Sequence, residues 1–175
     1  MKPRVTVLMP VYNADAFLRE AMDSILQQTL TDFEFLVIDD GSSDNSLAII
    51  KSYNDARIRF VQNEKNIGIS ATLNRGIELA SCELIARMDA DDIAYPQRLQ
   101  KQYDFFSAHL DCALLATWAR EVSESGEAIR TEKWRRPFYY YNLTFECWIY
   151  HPTVMFKRSA VRDVGAYSTP YSEDY

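Results

Sequence analysis

Two hydrophobic rhythms alternate over residues 1–111. Residues 5–9, Val-Thr-Val-Leu-Met, form a short apolar, β-branched run with little polar alternation, the pattern of a strand buried on both faces. Phe17, Leu18, Ala21, Met22, Ile25 and Leu26 then step by three and four, which lays one stripe of a helix against a sheet, with Asn13 as its candidate cap. The pair recurs. Strands are predicted over 33–38, 58–61 and 84–88. Helices are predicted through Leu47, Ile49 and Ile50 (with cap residues from Ser42-Ser43-Asp44), over 69–80, and from Pro96 to about residue 110. Strand and helix alternating at this spacing predict βαβ units, hence an α/β fold with a mostly parallel central sheet flanked by helices.

After Asp111 the rhythm changes. Residues 112–118 read as a strand, Ser125-Gly126 as a turn, and 128–134 as the returning strand of a hairpin. The aromatic stretch over 139–149 fits neither period. A short strand over 153–156 and a short helix over 159–164, closed by Gly165, follow. The organisation expected is one domain in two parts: a βαβ half over 1–111 and a smaller mixed part over 112–175. The chain ends on Ser172-Glu173-Asp174-Tyr175 without a closing element, as a piece of a longer domain would.

Composition removes several function classes. Of 175 residues, 47% are hydrophobic and 25% charged, enough apolar surface for one core and against disorder. Lys and Arg number 19 against 25 Asp and Glu, a net charge of −6, which argues against sequence-independent nucleic-acid binding and against charge-driven anchoring to anionic lipid. Cys82, Cys112 and Cys147 are widely spaced with no C-x-x-C, and His109 and His151 are the only histidines. Neither a disulfide framework nor a zinc site is expected, and the compartment is a reducing one. No apolar run has the length of a membrane span, and residues 5–12 are too short for a signal peptide. The expected location is cytoplasmic, with the inner face of the membrane reachable only through parts outside this chain.

Open α/β sheets bind ligands at the carboxyl ends of their strands. There the chain carries Pro10-Val11-Tyr12-Asn13, then Asp39-Asp40-Gly41-Ser42, then Asn63 to Gly68, then Asp89-Ala90-Asp91-Asp92. Carboxylates gather at one sheet edge, and that grouping costs free energy unless a cation or hydrogen-bond donors offset it. Asp89 and Asp91, two apart on a turn, can both reach one hard divalent cation, which takes its remaining ligands from phosphate and water. An isolated D-x-D more often just caps the next helix. The Asp39-Asp40 pair at a neighbouring strand end reverses that preference. Tyr12 fits either packing or a stacking platform for a base. Asn66-Ile67-Gly68 fits either a turn or an anion-holding helix start. Lys133-Trp134-Arg135-Arg136 reads as a solvated rim, Tyr139-Tyr140-Tyr141 as packing, His151 as structural and His109 as an exposed helix end.

Seven blocks, in order, cover essentially the whole chain: VTVLMPVYN, SILQQT, VIDDGSSDNS, NEKNIGIS, ARMDADDIAYPQRL, HPTVMFKRSA and SEDY. Together they resemble the family-2 glycosyltransferases of the GT-A fold. The resemblance implies a Rossmann-like GT-A fold. It implies inverting transfer of a sugar from a nucleotide-sugar donor, usually UDP-linked, to a hydroxyl of a saccharide or lipid-linked saccharide, assisted by Mn2+ or Mg2+. The setting it implies is bacterial surface polysaccharide or glycoconjugate synthesis. Matched by position, Pro10 and Tyr12 would line the base pocket, Asp40 would hydrogen-bond the uracil edge, and Asp39 would shape that turn. Asp89 would lie near ribose and metal, Asp91 would be the principal metal ligand, and Asp174 would be the catalytic base. His151-Pro152-Thr153 would lie on the acceptor side. The Q-x-x-R-W block of processive members is absent.

Two rival enzymes fit less well. Dehalogenase-type phosphatases place their D-x-D after the first strand, whereas here it follows the fourth. Sugar nucleotidylyltransferases want a Gly-rich loop after the first strand, and residues 9–12 contain no glycine. A nucleotide-binding module without turnover stands as the alternative.

Overall fold

The apolar run after Arg4 is a strand in which every residue is buried, β1 (Val5–Val11). It is the axis of the molecule, a computed structural model that describes residues 2–123, 127–131 and 149–168. β2 (Phe33–Asp39) and β4 (Leu84–Arg87) flank β1 in parallel, and β3 (Ile58–Gln62) extends the sheet beyond β2. Beyond β4 lie β5 (Leu114–Leu115) and β8 (Met155–Lys157), with β8 antiparallel to both β4 and β5. The six-stranded order is β3-β2-β1-β4-β8-β5.

β1 lacks polar alternation because helices cover both faces of the sheet. Val5, Val7, Met9 and Val11 face a core built with α1 (Leu18–Leu26) and α4 (Arg98–Ala108), to which Ile50 of α2 (Ser46–Ser52) adds. Leu8 faces a second core with Leu73 and Ile77 of α3 (Ile69–Leu79), bordered by Val161 of α5 (Arg158–Asp163). Gly76 lets α3 sit close on β1: a Cβ there would fall 2.3 Å from Leu8 Cδ1. Among the described residues no helix is long and apolar enough to cross a membrane.

The strand–helix alternation expected over 1–111 is present, and four local expectations need correcting. Asn13 does not cap α1. It takes a left-handed conformation (φ 50°) and its Oδ1 accepts from the Ser43 N–H, so its capping capacity is spent on the next loop. Helix α1 starts later, and Phe17 is half exposed rather than in the buried stripe. The strand expected over 112–118 shrinks to β5, which joins the main sheet. The hairpin instead pairs β6 (Arg120–Val122) with β7 (Ala128–Thr131), and the Ser125-Gly126 turn lies outside the described residues. The strand expected to start at Thr153 starts at Met155, because residues His151–Thr153 form a 3-10 turn.

The strand order fixes where a ligand can enter. From β1 the chain builds outward through β2 and β3, then crosses back to lay β4 on the other side, so β1 and β4 flank the topological switch point. Their ladder ends at Leu8↔Arg87, where the Met88 N–H reaches the Leu8 carbonyl. The next rung on that side would need the N–H of residue 10, and proline has none. Pro10 thus opens the crevice, with Tyr12 on one lip and Asp89 on the other.

Candidate functional site

One lip is a cradle laced by its own hydrogen bonds. The Asp40 carboxylate, 3% exposed, accepts from Asn63 Nδ2 (2.6 Å), from the Ile67 N–H (3.0 Å) and from the Gly68 N–H (3.0 Å). Asn63 Nδ2 also donates to Thr72 Oγ1, tying the cradle to α3. Gly41 has φ +73°, and a Cβ on it would come within 2.7 Å of the Asn66 nitrogen, so only glycine lets the two loops touch. The loops after β1 and β2 are joined as well: the Asn13 N–H donates to Ser42 Oγ and the Ala14 N–H to Ser46 Oγ. Asp39 is fully buried. Its Oδ1 accepts from the Ser42 N–H, and its Oδ2 has no partner. Pro10 is buried, while Tyr12 stands 52% exposed on the rim.

The opposite lip is a crowd of like charges. Asp89, Asp91 and Asp92 each offer an oxygen within 4.8 Å of the others, and Asp91 and Asp92 are exposed. Asp89 pairs with the guanidinium of Arg87, a residue 2% exposed. Partial desolvation, and then the neighbouring charges of Asp89 and Asp91, push the Asp92 carboxyl up to about 6, against the pull of Arg87 and Arg98. Three clustered carboxylate oxygens form a hard donor set, suited to Mg2+ or Mn2+ and unsuited to softer ions.

Between the lips and the far edge lies the turn bearing His151. Its Nε2 meets Tyr167 Oη at 2.7 Å, and the rings sit edge to face. Tyr167 is in turn clamped to α3: Asn74 Nδ2 donates to its carbonyl and its N–H donates to Asn74 Oδ1. Burial, and then the nearby Arg87 charge, lower the His151 pKa to about 3, so the ring is neutral at physiological pH. This supports the structural reading of His151. His109 closes α4 and stacks on Phe105 at the surface, as expected.

Sequence reasoning left Asp92 in its run without a role, and it missed Arg87 and Arg98. A lone arginine ending an apolar strand, next to three carboxylates, was the available signal. Asp174, Lys133 to Arg136, Tyr139 to Tyr141 and Cys147 lie outside the described residues. A shallow hollow of about 270 Å³ lined by Tyr53, Asp55 and Ile58 sits at the amino end of β3, the wrong end of a parallel sheet for the chemistry.

Known proteins place this geometry. The glycosyl transferase family 2 profile matches residues 6–165. An uncharacterized glycosyltransferase of Methanocaldococcus jannaschii is 35% identical over 92% of this chain and 58% of its own length. The Escherichia coli UDP-Gal:alpha-D-GlcNAc-diphosphoundecaprenol beta-1,3-galactosyltransferase is 31% identical over 99% of this chain and 66% of its own. Two solved structures share the fold. Staphylococcus aureus TarS in complex with UDP has TM-score 0.77 and 20% identity, over 98% of this chain and 52% of that one. The mannosyltransferase PcManGT of Pyrobaculum calidifontis with GDP-Man and Mn2+ has TM-score 0.74 and 22% identity, over 99% and 50%. The chain therefore spans only part of the length of the proteins it matches. With the profile running from β1 through α5 and the GT-A architecture shared across the sheet, the chain belongs to glycosyl transferase family 2.

Proposed function

We propose that the protein transfers a sugar from a UDP-linked donor to a hydroxyl of a saccharide or lipid-linked saccharide, with inversion at the anomeric carbon. The observation that carries this reading is the Asp89, Asp91 and Asp92 cluster at the carboxyl end of β4, across the switch point from Tyr12 and Asp40. Residues 1–111 supply the donor half, and 112–175 begin the acceptor side. The E. coli relative, named for UDP-Gal and a diphosphoundecaprenol-linked acceptor, favours the lipid-linked class and a membrane-facing setting for the acceptor.

In this reading the uracil lies between Pro10 and Tyr12, stacked on the exposed ring. A carboxylate has about four acceptor positions. Asn63, Ile67 and Gly68 take three of those on Asp40, leaving one for the imide N–H of the base. Asp39, through the Ser42 N–H, fixes the turn that aims Asp40. Asp91 and Asp89, with Asp92 beside them, would hold a Mn2+ or Mg2+ ion that supplies Lewis-acid stabilisation of the charge on the departing diphosphate. Asp174 takes the proton of the attacking hydroxyl as general base. Its support is its place in the SEDY block, and the carboxylates at β4 are unsuited to the task because they would be engaged with the cation.

Calorimetry with UDP tests the reading. Affinity should be at least about tenfold higher with Mn2+ than with chelator, and Asp91→Ala should abolish the difference. Equal affinity in both conditions would overturn it. Release of UDP from a UDP-sugar on addition of acceptor separates transfer from binding without turnover.

A further inference from the structure

Behind the acidic lip stand two guanidiniums that sugar transfer, as derived above, does not employ. Arg87 ends β4 and is 2% exposed; its Nη1 pairs with Asp89 Oδ1, and its Nε is buried without a partner. Arg98, from the first turn of α4, donates from Nη2 to the Arg87 carbonyl (2.7 Å) and to the Val154 carbonyl (3.3 Å), and from Nε to Gln102 Oε1. It is thereby pinned against the end of β4. Burial lowers its pKa only to about 10, so it stays charged at neutral pH. Arg87 touches the cluster directly through its ion pair with Asp89, and Arg98 stands behind it on the Arg87 carbonyl.

A buried arginine is costly in an apolar strand, and its presence calls for a reason beyond packing. The charges supply one. Three carboxylates face two guanidiniums, which leaves the lip close to neutral, with one net negative charge. A nearly neutral pocket holds a bare divalent cation weakly. The diphosphate of a donor brings about two further negative charges, and the balance then favours the cation.

We propose that Arg87 is a positioning residue acting through Asp89: by neutralising that carboxylate in the donor-free site, it keeps affinity for a bare divalent cation low, so that the cation is retained only together with the donor's diphosphate. The inference rests on the reading of Asp89 and Asp91 as metal ligands. Its consequence is a site that does not fill with cation ahead of substrate, and whose like-charged lip is held in place by the protein itself in the meantime.

The test measures Mn2+ binding by calorimetry or electron paramagnetic resonance, with and without UDP, on the wild-type chain, Arg87→Gln, Arg87→Lys and Arg98→Gln. A single neighbouring charge moves an ionic equilibrium by about one to three powers of ten. Arg87→Gln should therefore bind Mn2+ alone about tenfold or more tightly than wild type, while its affinity for UDP in chelator does not rise. Arg87→Lys keeps the charge and should stay within about threefold of wild type. A merely structural role would lower the melting temperature without tightening Mn2+ binding. If Arg87→Gln does not fold by circular dichroism, Arg98→Gln removes the other countercharge and should shift Mn2+ affinity in the same direction. Glutamine variants that bind Mn2+ alone no more tightly than wild type, with the UDP-dependent site intact, overturn the inference and leave the metal reading standing. A wild-type chain that binds no Mn2+ even with UDP removes both.

Discussion

Two carboxylate runs sit at neighbouring strand ends, Asp39-Asp40 after β2 and Asp89 to Asp92 after β4, and the same chemical group does opposite work in each. Asp40 is buried and accepts three hydrogen bonds from its own chain, which leaves one acceptor position, and it staples the loop before α3 to the sheet. Asp91 and Asp92 are exposed, no hydrogen-bond donor of the described residues reaches them, and their mutual repulsion is countered only from behind, by Arg87 and Arg98. A satisfied carboxylate holds a fold together; an unsatisfied one keeps its capacity for something that arrives later. The comparison teaches that acidic residues at a sheet edge are sorted by their donors, not by their spacing. Neutralising a charge on the first lip should cost stability, and doing so on the second should cost none.

The largest effect expected follows from emptying the cradle. Asp40→Ala leaves the Asn63 amide and the Ile67 and Gly68 N–H groups without their acceptor. At about 1–3 kcal/mol for each buried group left unsatisfied, and with water reaching part of the loop, the loss should be about 3 kcal/mol. Asp91→Ala should stay within about 0.5 kcal/mol of wild type, as exposed substitutions do. Urea unfolding of the two variants compares them directly, and equal losses would break the contrast.

Next in size is Gly41→Ala. Its φ of +73° and the 2.7 Å approach to the Asn66 nitrogen combine backbone strain with a clash against main chain, so a loss of about 2 kcal/mol or more is expected. Gly68 separates strain from clash: nothing lies within 4 Å of an added Cβ, but its φ of +88° and ψ of 159° fall in a region nearly closed to other residues, so Gly68→Ala should cost about 1–3 kcal/mol from the backbone alone. A Gly41→Ala loss below about 1 kcal/mol would show that the loops do not meet at Gly41.

His151 tests the face that looks toward Arg87. Burial first, and Arg87 second, lower its folded pKa to about 3 from 6.5. A group whose folded pKa is depressed keeps its share of stability in full above the unfolded value, and loses it as pH falls through that value toward the folded one. Melting temperature should therefore fall between pH 7 and pH 5, and His151→Gln should flatten that slope while retaining a polar partner for Tyr167. An unchanged slope would show that other groups set the acid sensitivity.

The scaffold was legible in the sequence because parallel strands buried on both faces read as unbroken apolar runs. That is why β1, β2 and β4 were placed to within a residue or two from Val, Ile and Leu alone. The strand ends, and with them the acidic runs, followed from topology. What failed were side chains whose partners are far away in sequence. Asn13 looks like a helix cap because Asn caps helices, yet its amide is taken by Ser43, thirty residues on. Asp40 looks like any turn aspartate until residues 63–68 fold onto it. Two-residue β5 and the β6–β7 hairpin carry too little periodicity to tell which strand pairs with which. Arg87 ends an apolar strand beside three carboxylates, which signals a charge partner, but its burial depends on β8 and α4 closing over that strand end from far along the chain.

The smallest expected effect is the one of opposite sign. Asp92→Asn, measured without metal, should stabilise the protein. The folded pKa of Asp92 is raised to about 6 from 3.8, by desolvation first and then by Asp89 and Asp91, so the folded state binds its proton more tightly than the unfolded chain does. Stability is then lost as pH rises from about 4 to about 6, and the ionised side chain remains unfavourable above that. Asparagine removes the charge at similar size. Its advantage should be absent near pH 4, grow through pH 6 and level off near pH 7. Because the side chain is solvent-exposed, screening reduces the gain well below what the shift alone implies, to under about 1 kcal/mol. Added sodium chloride should shrink it further, since salt screens exposed charges. Denaturant unfolding across that pH range, at low and high salt, reads both trends. A loss of stability at pH 7 would mean that Asp92 is held by the fold in the way Asp40 is, and the division between the two lips would have to be redrawn.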